Sequence, residues 1–519
     1  MQARPQRIVY VGPTGGADPL GIDRVAAARR TPEGALHYTV GGREREVWAT
    51  SDAERAFAYL GRHAVDLLVL ELRDRAPRHG QAASTEDVPF DASRAGRLLA
   101  RLFPEDEVVA GLQRHRVLAL VGPDVRGTEA AHRLGQLGVG GVLSAPSWER
   151  LHGRIDALLE EGAPGKVAIC LAGGGIEGLL YELGVLRALD TFLVNRRVQE
   201  LDLFCGISAG AVLGAFLANG IGPDEIARAF AGGTARVDAI RKDELFMPNL
   251  PELGRRLPAL ARELARGGVG PRGALSSVAR SLPTGVFTGA RLRGYLKRHL
   301  HRPGLSDDFR ELRRPLFVGA TDQDTSSAVV FGEPPFDHVP IHQAVRASSA
   351  LVPFYPPEKI DGRYYIDGAF TRTTNMRVAV RQGATMVILV DPLVPVHSDE
   401  PGYVWKRGGI FSSMQALKAL VNGRFDKAVR AIRELYPQVS FYLFRPHGDE
   451  MRILSGSPMK YFYRREIEEL AYRSTLAKVR ASFTDLRRDF ERHGVVFRDP
   501  EGEPAPSPAR FRRELGIGL

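Results

Sequence analysis

Cysteine is nearly absent from this chain: among 519 residues only Cys170 and Cys205 occur. Both sit inside apolar runs, which argues against a disulfide-stapled scaffold or a cysteine-rich metal site and leaves two small core residues. Such scarcity fits a reducing compartment. The first seven residues, Met-Gln-Ala-Arg-Pro-Gln-Arg, lack the apolar stretch of a secretory signal, so a cytoplasmic location is expected. The stretch from Leu203 to Pro223 is uncharged for long enough to suggest a membrane span. Five glycines interrupt it, and its helical part is too short to cross a bilayer, so a buried helix is expected instead. No internal repeat is visible. Basic residues outnumber acidic ones by 71 to 61, a net charge of +10, yet no nucleic-acid module accompanies the excess, and nucleic acid is not an expected partner.

Apolar residues are plentiful at 44%, which argues for globular folding rather than disorder. A chain of 519 residues exceeds one ordinary core, so two or three domains are expected. The most informative segment is Gly206-Ile207-Ser208-Ala209-Gly210, which follows the apolar run Leu201 to Cys205 and precedes a helix-like stretch from Ala211 to Asn219. Strand, sharp turn and helix are what a nucleophile elbow requires, with small neighbours at Gly206 and Gly210 because a side chain there would strike strand or helix. Ser208 is therefore a candidate nucleophile.

Upstream, Lys166 to Leu171 reads as a buried strand running into Ala172-Gly173-Gly174-Gly175-Ile176-Glu177-Gly178 and then an apolar helix. Glycines at a helix start leave backbone N–H groups pointing outward, the means of holding an oxyanion. Gly173, Gly175 and Gly178 also satisfy the dinucleotide fingerprint, but that pattern needs an acid at the end of the next strand. The next strand ends at Ser208, which favours the oxyanion reading. A third element, Tyr364-Tyr365-Ile366-Asp367-Gly368-Ala369, delivers an aspartate into a Gly-containing turn. A serine hydroxyl needs a base, and Asp367 can serve if it lies within hydrogen-bond reach. His397 and His447 follow Asp367, as a Ser-Asp-His triad would require, but neither follows a strand in a Gly-His turn; His342 precedes it.

These three elements, in this order, resemble the patatin-like phospholipase family over about Lys166 to Pro395. The segment Ala347-Ser348-Ser349-Ala350-Leu351-Val352-Pro353 is also similar to that family. The resemblance implies a three-layer α/β/α domain and a Ser208–Asp367 dyad without histidine. It implies an oxyanion loop on Gly173, Gly174 and Gly175, with Gly178, Gly206, Gly210 and Gly368 as motif flanks. It implies neither metal nor organic cofactor, and a lipid or other acyl ester as substrate. Two departures stand out. Position 177 holds Glu where the family usually carries Arg or Lys, and the segment Thr371 to Arg377 lacks the proline of the family's Asn-x-Pro. A catalytically silent signalling or scaffold protein, or an acyltransferase, is the alternative.

Residues 1–160 are expected to form a separate α/β unit, with 161–497 as the acyl hydrolase domain and 498–519 as a tail. Strand candidates Arg7–Gly12, Val65–Leu72, Val117–Gly122 and Gly141–Ser144 alternate with helix candidates Ala53–Arg62, Thr128–Leu137 and Trp148–Glu161, the pattern of a doubly wound parallel sheet. The unit resembles a response-regulator receiver, but Glu71 stands at the phospho-acceptor position, Ala145 at the lysine position and Gly12-Pro13 at the acidic pair. A pseudo-receiver serving a protein partner or self-association is expected. The stretch 76–107 reads as an inserted loop with a helix. Two mixed apolar and basic clusters are candidates for a peripheral membrane surface or a lid: Leu253, Leu257, Leu260 and Leu264 among arginines with Pro258 between them, and Trp405, Lys406, Arg407, Ile410 and Phe411.

Overall fold

The computed structural model describes residues 5–502 apart from 13–17, 25, 33, 73–115, 124, 137–138, 161–163, 234, 253, 257, 259–282, 373, 437, 448–449 and 452–463. The expected inserted loop at 76–107, most of the leucine–arginine strip at 253–266 and most of the tail lie outside the described residues. The chain forms two compact units. One comprises residues 1–165, 433–442 and 477–519, the other 166–432 and 443–476. The C-terminal segments thus group with the first unit, whereas the sequence reading had placed residues up to 497 with the hydrolase domain.

The first unit is built on a sheet ordered β2-β3-β4-β1-β5-β6-β7. Its strands are β1 (Gln6–Val11), β2 (Arg29–Arg30), β3 (Leu36–Val40), β4 (Arg43–Thr50), β5 (Leu67–Glu71), β6 (Val117–Val121) and β7 (Gly141–Ser144). The five strands β4-β1-β5-β6-β7 run parallel, in the order of doubly wound flavodoxin-like sheets. Alternation along each strand explains the two cores. Ile8, Tyr10, Leu67, Val69, Leu118 and Leu120 face a helix at Trp148–Leu159 through Leu151, Ile155 and Leu159. Val9, Val11, Leu68, Leu70, Val117 and Ala119 face the other way, toward Ala56 and Leu134 of helices Ala53–Arg62 and Val125–Gln136. The antiparallel ribbon β2-β3-β4 was not expected. Its signal was present in Gly41-Gly42, a two-residue turn between extended runs. The Glu71 carboxylate accepts from the Tyr10 hydroxyl at 2.7 Å, and Ala145 has φ +40°. From the C-terminal segment, Arg488 is buried, pairs with Asp485 at 2.9 Å and Asp489 at 2.8 Å, and donates to the Val65 carbonyl at 3.1 Å.

The second unit is built on an eight-stranded sheet, ordered β12-β13-β10-β9-β8-β14-β15 with β11 paired to β10. The strands are β8 (Lys166–Leu171), β9 (Leu203–Gly206), β10 (Leu316–Asp322), β11 (Ser327–Phe331), β12 (Glu358–Ile360), β13 (Arg363–Asp367), β14 (Ala384–Val390) and β15 (Ser440–Phe444). The central strands β14, β8, β9 and β10 are parallel. They are apolar on both faces because helices cover both sides, as parallel sheets require. Cys170 and Cys205 are free, fully buried partners in the β8–β9 register. Four helices matter to the site: α1 (Gly175–Phe192), α2 (Ala209–Ala218), α3 (Ile341–Ser348) and α4 (Gly408–Leu435). The expected buried helix behind Ser208 is α2, every residue of which is buried. Among the described residues no helix is long and apolar enough to cross a membrane.

Candidate active site

Strand β9 ends at Gly206, and the chain turns through Ile207 and Ser208 into α2. Ser208 sits at φ +54°, ψ −118°, a conformation that costs an L-residue of order 1–3 kcal/mol and persists where its surroundings enforce it. The enforcing contacts are visible. The Ile207 N–H donates to the Leu171 carbonyl at 3.1 Å and the Gly210 N–H to the Ala172 carbonyl at 3.1 Å. The Ser208 N–H donates to Ser348 Oγ at 2.8 Å, and Ser348 Oγ donates to the Gly319 carbonyl at 2.6 Å. A Cβ at position 206 would fall 2.5 Å from the Gly210 oxygen, and one at 210 would fall 2.5 Å from Leu171 Cβ. The small flanks are therefore a steric necessity.

The glycine loop leaves β8 and lies directly against the serine. A Cβ on Gly173 would stand 3.2 Å from Ser208 Cβ and 3.8 Å from its Oγ. Gly174, at φ +155°, caps α1 and has no side chain with which to bond that helix start. The first N–H groups of an α-helix have no intrahelical acceptor, so this end carries donors and the positive pole of the helix dipole. Gly178 lies under the same loop, donating to the Gly174 carbonyl at 3.0 Å.

Asp367 arrives from the opposite side. It ends β13, which pairs with β10, itself the neighbour of β9. Its N–H donates to the Ala350 carbonyl at 3.1 Å, and its Oδ1 accepts from the Ala369 N–H at 2.9 Å. Gly368 passes so close to β10 that a Cβ would meet the Gly319 oxygen at 2.5 Å. The carboxylate is 1% exposed and lies close enough to the Ser208 hydroxyl for that group to act on its ionisation. Burial pushes its pKa up to about 6, with the Ala369 N–H and the Ser208 hydroxyl opposing the rise. The residues from three separate sequence motifs thus meet at one point.

The histidines stand apart from that point. His342 Nδ1 lies 2.5 Å from Asp307, His397 is exposed beside Asp399, and the His447 N–H donates to Glu450 at 2.7 Å. Among the described residues no group of His, Cys, Asp or Glu is arranged to hold a metal.

The sequence reading missed several supporting residues. Ser348 lies in the segment Ala347–Pro353, and its role as acceptor for the Ser208 N–H has no linear signature. Glu177 is buried in the first turn of α1, where its charge acts on the buried Lys418 of α4. Burial pushes the Lys418 ammonium down, and Glu177 opposes that shift. Met414 and Leu417 of the same helix pack with Leu351, Phe354 and Tyr355. Arg424 of α4 reaches the Asp367 turn, donating to the Phe370 carbonyl at 2.6 Å and the Ala369 carbonyl at 2.7 Å. The second aromatic–basic cluster borders a groove of about 820 Å³ that none of the catalytic candidates lines. There Trp405 is 83% exposed and the Arg407 guanidinium stacks 3.4 Å from the Tyr403 ring centroid.

Residues 169–380 match the family described as Patatin-like phospholipase. This segment is a patatin-like phospholipase domain. The domain is that of a lipid acyl hydrolase. Three solved structures resemble the chain at low identity. VipD from Legionella pneumophila shares 16% identity at a TM-score of 0.29, over 61% of this chain and 67% of that one. The type III effector ExoU shares 16% at 0.25, over 63% of this chain and 54% of that one. Human GIVD cytosolic phospholipase A2, in complex with methyl gamma-linolenyl fluorophosphonate, shares 14% at 0.27, over 63% and 60%. The chain thus spans between about half and two thirds of the length of these structures. Glu177, which departs from the family's usual residue, and Asn375, in the segment that lacks the family's proline, are both buried within this domain.

Proposed function

We propose that this protein hydrolyses lipid acyl esters through a Ser208–Asp367 dyad and an acyl-enzyme. The reading is carried by the convergence of three motifs: Ser208 at its strained turn lies against Gly173 and close enough to the buried Asp367 carboxylate to act on its ionisation, and a carboxyl raised to about 6 suits a general base at neutral pH. Ser208 Oγ attacks the ester carbonyl while Asp367 takes its proton. The N–H groups around Gly173, Gly174 and Gly175 receive the oxyanion, at a helix start that favours negative charge. Asp367 then returns the proton to the departing alcohol oxygen, leaving an acyl ester on Ser208. Water attacks that ester, Asp367 takes its proton, and the fatty acid leaves as Ser208 regains a hydrogen. The apolar cluster of Leu351, Phe354, Met414 and Leu417 beside the dyad offers hydrocarbon contact to an acyl chain.

The remaining roles belong to the same proposal. The exposed Trp405 with its neighbouring Lys406 and Arg407 fits a peripheral membrane contact. The first unit, lacking an aspartate acceptor at position 71 and a lysine at 145, serves as a pseudo-receiver that binds a protein partner or a second copy. A fluorophosphonate probe tests the chemistry. Wild type is labelled and Ser208→Ala is not. Equal labelling of the two, or a folded wild type that neither labels nor hydrolyses short- and long-chain esters, overturns the dyad and favours a silent scaffold.

A further inference from the structure

Helix α4 lies beyond residue 380, outside the matched segment, yet it reaches the turn that carries Asp367. That turn is a short 3-10 helix, Gly368–Phe370, capped by the Asp367 side chain through the Ala369 N–H. The Thr371 and Arg372 N–H groups both return to the Gly368 carbonyl, at 3.1 and 2.8 Å. The next two carbonyls, of Ala369 and Phe370, are the end carbonyls of such a turn and need donors from elsewhere. Arg424 supplies both with one guanidinium, at 2.7 and 2.6 Å. A planar fork that holds two successive carbonyls fixes the orientation of the peptides between them, which a single donor cannot do.

We propose that Arg424 is a positioning residue for the dyad: by clamping the Ala369 and Phe370 carbonyls it aims the Ala369 N–H at Asp367 Oδ1 and holds the carboxylate against the Ser208 hydroxyl. The proposal rests on the reading of Asp367 as the base. It makes α4 part of the catalytic apparatus, although Arg424 bonds the turn and not Ser208 or the Asp367 carboxylate. The groups that bear on the Asp367 charge are its burial, the Ala369 N–H and the Ser208 hydroxyl. No charged side chain of the described residues adds to these, so a loosened Ala369 N–H acts without a competing charge nearby. That N–H bond favours the ionised carboxylate, and weakening it moves the ionisation of the base upward.

The test compares Arg424→Gln, Arg424→Lys and the same-helix control Lys427→Ala in the full chain, using a soluble short-chain ester across pH and a fluorophosphonate probe at fixed pH. Arg424→Gln is expected to lower kcat about 10- to 100-fold with KM within about twofold, and to raise the acid limb of kcat/KM by about half a pH unit or more. Arg424→Lys keeps the charge but offers no planar fork, so it falls between Gln and wild type, and Lys427→Ala matches wild type. Arg424 is exposed, so the melting temperature drops by no more than about 3 °C. A kcat for Arg424→Gln within twofold of wild type overturns the proposal. So does a loss of kcat with an unmoved acid limb, which would make the residue merely structural. If wild type labels and turns over while Arg424→Gln is unimpaired, only this inference fails. If wild type is itself inert, the dyad reading fails and takes this inference with it.

Discussion

Replacing Asp367 by Asn should stabilise the protein at alkaline pH while abolishing turnover. The carboxyl ionises at about 6 in the folded chain against an ordinary 3.8, because it is buried. The folded state therefore binds the proton more tightly than the unfolded chain. Stability from this group is complete below about pH 3.8, falls as pH rises toward 6, and is fully lost above that. Two pKa units at 1.36 kcal/mol each set the cost of the buried charge at about 3 kcal/mol at pH 8. Asn still accepts from the Ala369 N–H but without a charge, which takes back about 1 kcal/mol. A net gain of about 2 kcal/mol corresponds to roughly 5 °C in Tm for a unit of this size. The assay is a pair of thermal melts, variant minus wild type, at pH 8 and pH 4. The gain should shrink below about 1 kcal/mol at pH 4, where the folded carboxyl is already protonated. A variant less stable than wild type at pH 8, or a difference that ignores pH, would refute the reasoning. The same charge predicts a kcat/KM that falls below about pH 6 as the base is protonated.

Two further substitutions probe the supports. Ser348→Ala removes the acceptor of the Ser208 N–H and leaves the Gly319 carbonyl without its hydroxyl donor; it should cost about 1–3 kcal/mol in urea unfolding and slow fluorophosphonate labelling as the serine relaxes from its positive φ. Lys418→Met removes a buried cation on which the Glu177 carboxylate acts and should destabilise by about 3 kcal/mol, with much of the loss recovered in the Lys418→Met, Glu177→Gln double variant. A double variant no more stable than Lys418→Met alone would show that the two side chains do not act on each other.

The features legible in the sequence were those with local causes. Short continuous apolar runs named β1, β5 and β6, and helical spacing named the helices between them, because burial on both faces of a strand or on one face of a helix is written into consecutive residues. Gly206 and Gly210 could be read as steric flanks since the collision they avoid lies within one strand–turn–helix unit. The short ribbon β2-β3-β4 escaped because few of its residues are apolar, and the polar pattern of Arg43 to Glu46 resembles a loop. Ser348, Lys418 and Arg424 escaped for another reason. Each acts on a residue far along the chain: Ser348 is 140 positions from Ser208, and Arg424 is 55 from Ala369. Nothing in their neighbours' sequence records that distant partner. Glu177 stands in the sequence as a departure from the family's usual residue, and the cation it acts on comes from α4.

The first unit draws on both ends of the chain, and Arg488 ties the late segment to the carbonyl of Val65. During synthesis the ribosome finishes residue 165 long before it reaches residue 477. At about 5–20 residues per second that gap is roughly 15 to 60 s. For that interval the early strands must wait with their last partners unmade, while the phospholipase domain is translated and can close on itself. The second unit can thus close before the unit that precedes it is whole, so the order of completion runs against the order of the chain.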